Sequence, residues 1–563
     1  MRSAALPYPS YPEEIRSRYR ELGYWTEETF AGFVADRTGR FADNTAVVGR
    51  DAHGAEVRWT YADLAEHADL AARRLASAGV TAGDRVVVTL PNIAEYVACV
   101  LGLFGMGAVP VFALPTHREA ELAQFCAIAD AAALVVCGDT AGVDHVGLHK
   151  LVADRLAEMA VEPPVLVDVQ AWPTDAEAAA LPVVPPSTAT AETLAFLQLS
   201  GGTTGISKLI PRAAAEYLYS VRASADICDL DEQTVMLVVL PASHNFPMSS
   251  PGILGVLHVG GTVVLAQDPS PRTGFGLIER ERATMTALVP PLAQAWISAA
   301  KRRHPDLASL EIVQVGGARL NDVVATEIEP VLHGRLQQVF GMAEGLVNYT
   351  RLDDSDELVL ATQGRPISPD DEVRVVDEDG ADVPDGAEGA LLTRGPYTIR
   401  GYYGGPTWTA SVNAASFTAD GFYRTGDLVR RLPSGHLVVT GRDKDQINRG
   451  GEKIATDEIE GHLLAHPDVL DAVAVGVPDH YLGERICVVV RTESGRPRPA
   501  DLGRYLCDAG LATYKIPDSF VFLDDFPATH VGKNSRRELR RLLGAHLNDQ
   551  TSTTDLTDAT DGN

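Results

Sequence analysis

Apolar and polar positions in the first part of the chain follow two alternating periods. In TYADLAEHADLAARRLASAG (residues 60–79), Leu64, Ala68, Ala71 and Leu75 recur at the spacing of one helix face. Thr60 and Asp63 stand at cap spacing before them and Gly79 follows, so a helix is predicted in between. RVVVTL (85–90) is a short β-branched run, PNIAEYVACVLGLFG (91–105) an apolar helix and AVPVFAL (108–114) another strand. This order predicts parallel sheets with crossover helices. LAFLQL (194–199), TVMLVVL (234–240), TVVLA (262–266), MTALV (285–289), EIVQV (311–315) and LQQVF (336–340) continue the strand series.

The pattern changes twice after that. From about residue 360 to 440 the helical period fades and Gly/Pro turns multiply, predicting a smaller β-rich unit. Beyond GRDKDQINRGGEK (441–453) short helices and strands return, as in a separate α+β domain of about 100 residues. Residues 171–193, rich in Ala, Pro and Thr, read as a surface connection. The tail LNDQTSTTDLTDATDGN has almost no large apolar residue and is predicted to be disordered. No internal repeat is found. The expected fold class is α/β: two parallel-type subdomains and a β-rich subdomain within residues 1–442, a small α+β domain at 443–545, and an acidic tail at 546–563.

Composition narrows the function. A chain of 563 residues has room for two to four domains. Its charge balance, 48 − 76 = −28, opposes binding to nucleic acid or anionic membranes. A small anionic substrate is not excluded, because a site can be locally basic. The six cysteines show no CxxC spacing and most lie in apolar runs, as expected for buried, reduced thiols in a cytoplasmic protein. No signal peptide is expected, since the N-terminus turns acidic and prolyl early. Tyr96 to Thr116 carries no charge, but Gly102, Gly105, Gly107, Pro110 and Pro115 interrupt it. A buried helix, turn and strand fit that stretch better than a membrane span.

Five polar clusters carry candidate chemistry. QLSGGTTGISKLIPR (198–212) is a glycine- and hydroxyl-rich loop ending in Lys208. Such a loop lets backbone N–H groups and a cation approach phosphate. It is not a Walker A loop, because Lys208 is followed by Leu209 and the required second glycine is missing. SHNFPMSSPG places His244 and Asn245 after a strand, and QVFGMAEGLVNYT places Glu344 after another. FYRTGDLVR contains Asp427, which can accept two hydroxyl hydrogen bonds or shape a turn. FPATHVGKNSRREL contains Lys533, in isolation an ordinary lysine.

In order and wording these clusters resemble the adenylate-forming superfamily of acyl-CoA synthetases, peptide-synthetase adenylation domains and firefly luciferase. The likeness runs from about residue 12 to 545. LQLSGGTTG, SKLIPR, HNFPMSSPG, GMAEGLVNYTRLDD, RGPYTIRGYY and KDQINRGGEK are most similar to its stand-alone aryl-acid branch, the 2,3-dihydroxybenzoate or salicylate AMP ligases of siderophore assembly.

The resemblance implies an ATP- and Mg²⁺-dependent enzyme that activates an aryl acid and passes it to the phosphopantetheine thiol of a separate aryl-carrier protein. Lys533, His244 and Glu344 are the implied catalytic residues, with Glu344 also holding the metal. Ser200, Gly201, Gly202, Thr203, Thr204, Gly205 and Lys208 are implied around the ATP phosphates. Gly317, Ala318, Val339, Gly341, Met342, Asp427, Arg442 and Lys533 complete the implied nucleotide site. Asn245, Phe246, Ser250, Gly316, Gly317 and Val347 are implied around the acid. Small Ser250 and Val347 favour 2,3-dihydroxybenzoate over salicylate. The C-terminal domain is expected to turn about Lys444, exchanging Lys533 for the loop of Gly450, Gly451 and Lys453. A salicylate or heteroaryl ligase, an aroyl-CoA ligase and a non-enzymatic binding protein are the alternatives.

Overall fold

The computed structural model describes residues 8–140, 143–200, 207–317, 319–320, 322–377, 379–442, 446–492 and 495–523, with Leu539 and Leu543. The tail 546–563 lies outside the described residues. Two compact units divide in sequence between Asp443 and Lys444.

The helix expected after Thr60 runs Tyr61–Ser77, and Thr60 and Asp63 close a reciprocal capping box. Leu64, Ala71 and Leu75 on its apolar face are fully buried. Each leucine contributes roughly 1.5–3 kcal/mol by leaving water. The face packs on the helix Ala94–Met106, which accounts for the charge-free stretch: almost all of it is buried core. Contact between the two helices is close. A Cβ at Gly102 would stand 2.6 Å from the Ala68 carbonyl oxygen, so only glycine fits there. Among the described residues, no helix is long and apolar enough to cross a membrane.

Among the described residues the larger unit contains three sheets of four or more strands and a two-stranded pair, Asp139–Thr140 with Val143–Asp144. The largest runs parallel from Thr45–Arg50 through Thr262–Leu265, Val235–Val238, Met285–Leu288 and Ile312–Gly316 to Arg335–Met342. Antiparallel strands finish both edges: Glu56–Thr60 at one, Gly345–Tyr349 and Arg365–Pro366 at the other. A second sheet orders Leu209–Ala213, Leu194–Leu199, Val109–Phe112, Arg85–Val88, Ala133–Val136 and Val165–Asp168. It is parallel except at its first pair. The β-rich region is an antiparallel sheet of Glu372–Val376, Glu388–Arg394, Tyr423–Arg431 and Leu437–Arg442.

Three expectations need correction. The β-rich stretch also contains a helix, Pro406–Ser416, which buries only Ser416 and therefore shows no apolar stripe in sequence. The connection at 171–193 includes a short capped helix, Asp175–Ala179. Cys99, Cys126, Cys137, Cys228 and Cys487 are buried thiols, but Cys507 is exposed.

The smaller unit pairs the long antiparallel strands Val469–Asp479 and Gly483–Thr492. Ser519–Phe522 lies parallel beside the latter, and Gln446–Arg449 and Glu452–Ala455 form a hairpin on the same sheet. Helices Thr456–Leu464 and Pro499–Asp508 supply Ile459, Leu463, Leu502 and Leu506 to its core.

Candidate active site

The glycine-rich loop joins antiparallel strands, Leu194–Leu199 and Leu209–Ala213, rather than a strand and a helix. That topology explains why it lacks the Walker A spacing, which serves a strand-to-helix turn. Leu199 pairs with Leu209, and the Ser200 N–H donates to the Lys208 carbonyl at 3.1 Å, closing the base of the loop. Ser200 is buried and its hydroxyl meets no hydrogen-bond partner among the described residues. Gly201, Gly202, Thr203, Thr204 and Gly205 lie outside the described residues.

Lys208 is buried, with Nζ 3.3 Å from Ser416 Oγ and 4.5 Å from the centre of the Tyr402 ring. The opposite end of Tyr402 donates its hydroxyl proton to Glu344 Oε1 at 2.9 Å. One tyrosine thus links the lysine that ends the loop to the acidic residue of a motif 136 positions later.

Glu344 occupies the turn between Arg335–Met342 and Gly345–Tyr349. The turn is pinned at both residues: Ala343 O accepts from Arg212 Nη1 at 3.3 Å, and Glu344 O accepts from the Ile399 N–H at 2.8 Å. Tyr423 also hydrogen-bonds Glu344 and feels the charge of Asp427. Burial first, then the Glu344 charge, raises the pKa of both Tyr402 and Tyr423 well above the ordinary phenol value. Both remain neutral donors across the physiological range.

Asp427 is buried on Tyr423–Arg431 and faces Arg442 across the strand pair. Its N–H donates to Thr425 Oγ1 at 3.0 Å. Met342 packs in the apolar cluster containing Tyr402, Phe417 and Tyr423, while Val339 belongs to the main core. Lys208, the acidic turn and the Asp427 strand therefore converge around two tyrosines.

The residues expected around the acid come from the largest sheet and from the short helix Asn245–Ser249 with the residue after it. His244 caps the short helix Asn245–Ser249, its Nδ1 accepting the Phe246 N–H at 3.2 Å. The Phe246 ring packs against Gly316: a Cβ there would be 3.1 Å from both Cε1 and Cζ. Gly317 follows with φ +85°, outside the ordinary range of other residues. Gly341 and Val347 pair across their strands. The Val347 N–H is held at 3.1 Å by the Tyr397 hydroxyl, which donates to Asp371 Oδ2 at 2.6 Å. Ser250 is buried beside the Tyr349 phenol. Asn245 Oδ1 accepts from the Tyr217 hydroxyl at 2.7 Å.

In the smaller unit, Gly450 and Gly451 make the hairpin turn with φ +62° and +94°, and Lys453 pairs in register with Asn448. Ala318, Lys444 and Lys533 lie outside the described residues, and the Arg442 side chain is likewise not described.

Tyr217, Tyr397 and Tyr402 were not assigned from the sequence. Tyr397 and Tyr402 stand inside RGPYTIRGYY, a phrase that carries the family resemblance, so a signal was present. Tyr217 gives none, because a tyrosine on an apolar helix face reads as core.

A profile of the AMP-binding enzyme family matches residues 34–403, and one of the AMP-binding enzyme C-terminal domain matches residues 458–533. The chain belongs to the AMP-binding enzyme family and is an ATP-dependent adenylating ligase. It is 48% identical to a 2,3-dihydroxybenzoate-AMP ligase of Bacillus subtilis, with 96% of this chain and 98% of that protein covered. It is 42% identical to a salicyl-AMP ligase / salicyl-S-ArCP synthetase of Mycobacterium tuberculosis, covering 95% and 94%. The apo structure of Mycobacterium smegmatis MbtA superposes with a TM-score of 0.71 at 43% identity, covering 95% and 98%.

Proposed function

We propose that the protein activates 2,3-dihydroxybenzoate with ATP and then transfers the aryl group to the phosphopantetheine thiol of a separate carrier protein. It is an aryl-acid adenylating ligase of the siderophore type, acting in the cytoplasm. What supports this reading is the meeting of Lys208 and Glu344 on the two ends of Tyr402: a cation and a carboxylate close together suit a metal-bound triphosphate.

A carboxylate oxygen of the acid attacks the α-phosphorus of ATP, the bond to the pyrophosphate oxygen breaks, and aryl-AMP forms. Little acid–base chemistry is needed; positioning and positive charge do most of the work. Lys208 and the Ser200 hydroxyl serve the departing phosphates, with Thr203 and Thr204 of the loop. Asp427 accepts the ribose hydroxyls beside Arg442. Lys533 pairs with the acid and the α-phosphate. His244, through its cap on Asn245–Ser249, aligns the acid side of the site.

Mg²⁺ fits the donor set. Glu344 is a single buried carboxylate in a turn, and among the described residues no group of three or more His, Cys, Asp or Glu could cage a metal. Magnesium is commonly held by one or two carboxylates plus substrate phosphates and water. When bound it neutralises phosphate charge. Tyr402 and Tyr423 orient the carboxylate that holds it.

In the second half-reaction a thiolate sulfur attacks the acyl carbon, the bond to the AMP oxygen breaks, and the aryl thioester leaves. Residues 443–545 act as the moving domain for this step, turning at Lys444 and bringing Gly450, Gly451 and Lys453 to the thiol.

Salicylate is a second reading, favoured by one observation. The Ser250 hydroxyl has the Tyr349 phenol as an internal neighbour, which weakens its case as a dedicated partner for a ring 3-hydroxyl. ATP–pyrophosphate exchange with 2,3-dihydroxybenzoate, salicylate, benzoate and acetate decides between them. Exchange strongest with 2,3-dihydroxybenzoate supports the first reading; exchange only with acetate removes the aryl pocket. Competing coenzyme A against a carrier-bound phosphopantetheine identifies the acceptor.

A further inference from the structure

Asn245 has one side-chain donor group and one acceptor, and which of them meets the acid depends on what holds the other. The structure gives the holder. Tyr217, on the helix Ala214–Ile227, reaches Asn245 Oδ1 at 2.7 Å. The phenol oxygen has two further neighbours, Ser249 and Gln198, both hydrogen-bonding it in the sense that favours a phenol oxygen as acceptor. Ser249 also reaches the Asn245 carbonyl at 3.1 Å, but the Gln198 amide N–H is a donor only. Ser249 has one proton for two acceptors, the phenol and the Asn245 carbonyl; given to the phenol, it leaves the single phenol proton to Asn245 Oδ1 at 2.7 Å. The ring cannot swing away. Phe196 meets it edge-on with centroids 4.7 Å apart, and the Arg212 guanidinium lies 4.8 Å from its centre. Tyr217 is almost fully buried.

We infer that Tyr217 is a positioning residue for aryl-acid selection: it occupies Asn245 Oδ1 and so leaves the amide Nδ2 as the group presented to substrate. This rests on the acid-pocket reading proposed above. A presented donor selects acids carrying an oxygen acceptor next to the carboxylate and gives no advantage to plain benzoate. An amide free to flip would offer its acceptor half the time and lose that preference.

The test is ATP–pyrophosphate exchange with 2,3-dihydroxybenzoate, salicylate and benzoate, for the wild type, Tyr217→Phe, Asn245→Ala and the double variant. Tyr217→Phe removes one oxygen and keeps the packed ring. It is expected to lower kcat/KM for the two hydroxylated acids about 10-fold, the scale of one specificity contact. Benzoate and the KM for ATP should move less than twofold, and the double variant should be no worse than Asn245→Ala. Equal losses on benzoate and the hydroxylated acids, or no loss on any, overturn the inference. If Asn245→Ala leaves the hydroxybenzoate-to-benzoate ratio unchanged, the acid-pocket reading fails and the inference with it. If Asn245→Ala collapses that ratio and Tyr217→Phe does not, only the inference fails. Asn245→Asp supplies a check that does not depend on the folding of Tyr217→Phe. It keeps an acceptor for Tyr217 and deletes the donor, and the ratio cancels the charge repulsion common to both acids. A retained ratio there shows that the donor was never selecting, and overturns the inference.

Discussion

The Phe246 ring lies so close to Gly316 that a methyl group added there would stand 3.1 Å from two ring carbons and 2.8 Å from the Val339 carbonyl oxygen. The backbone oxygen cannot yield as a flexible side chain would. Gly316→Ala must therefore push the ring or the strand, and overpacking of this kind costs about 1–3 kcal/mol. Because Phe246 is among the residues expected around the acid, the loss should fall on the acid. A rise in KM for the aryl acid of about 10-fold, with the KM for ATP unchanged, is expected from initial-rate kinetics. Equal effects on both substrates would place the ring outside the acid pocket.

Tyr402 supports Lys208 with its ring and Glu344 with its hydroxyl, and a single substitution separates the two. Tyr402→Phe keeps the ring and removes the hydroxyl that bonds the carboxylate and Tyr423. A hydrogen bond to a charged group contributes about 1.5–3 kcal/mol, a factor of roughly 10 to 150. Adenylation measured against magnesium concentration should show a higher half-saturating concentration, while the acid KM stays within twofold. An unchanged magnesium curve would remove Glu344 from the metal's surroundings.

Lys533→Ala checks the proposed division of labour between the half-reactions. Adenylate formation should fall by two or more orders of magnitude, the scale expected when a positioned charge is removed from a charge-developing centre. Transfer from supplied aryl-AMP to the thiol should stay close to wild type. Equal loss in both steps would show that one arrangement of the site serves both.

Where side chains share a face at a fixed period, the sequence was readable. Leu64, Ala68, Ala71 and Leu75 predicted a helix face, and Thr60 with Asp63 predicted its start, because capping is local chemistry. The glycine-rich loop stands out in sequence for a similar reason, since glycines, hydroxyls and Lys208 lie within a few residues. Pro406–Ser416 was not, because a helix burying only its last residue has no stripe to detect. The antiparallel pairing of Leu194–Leu199 with Leu209–Ala213 was equally hidden: strands buried on both faces do not alternate. The tyrosine contacts were the least visible. Tyr402 joins residues 194 positions before it and 58 before it, and no local pattern encodes such a meeting.

Asp371 gives the protein a stability term that can be read against pH. The carboxyl of Asp371 is buried beside Tyr397, which donates to Oδ2 at 2.6 Å. Burial outweighs that hydrogen bond and raises the carboxyl from 3.8 to about 7. Between those values the folded protein holds a proton that the unfolded chain has released. The folded state then binds more protons, so this group's contribution to stability falls as pH rises through the window and levels off above about 7. Glu216 is also raised, to about 7, chiefly by burial, so the wild-type curve contains both groups. Comparing Asp371→Asn with wild type isolates one of them. The Tm of the variant minus that of wild type should climb steadily in melts from pH 5 to 7 and then hold constant to pH 8. A difference independent of pH would show that Asp371 is ionised throughout, with Tyr397 and the Ser368 backbone outweighing its burial.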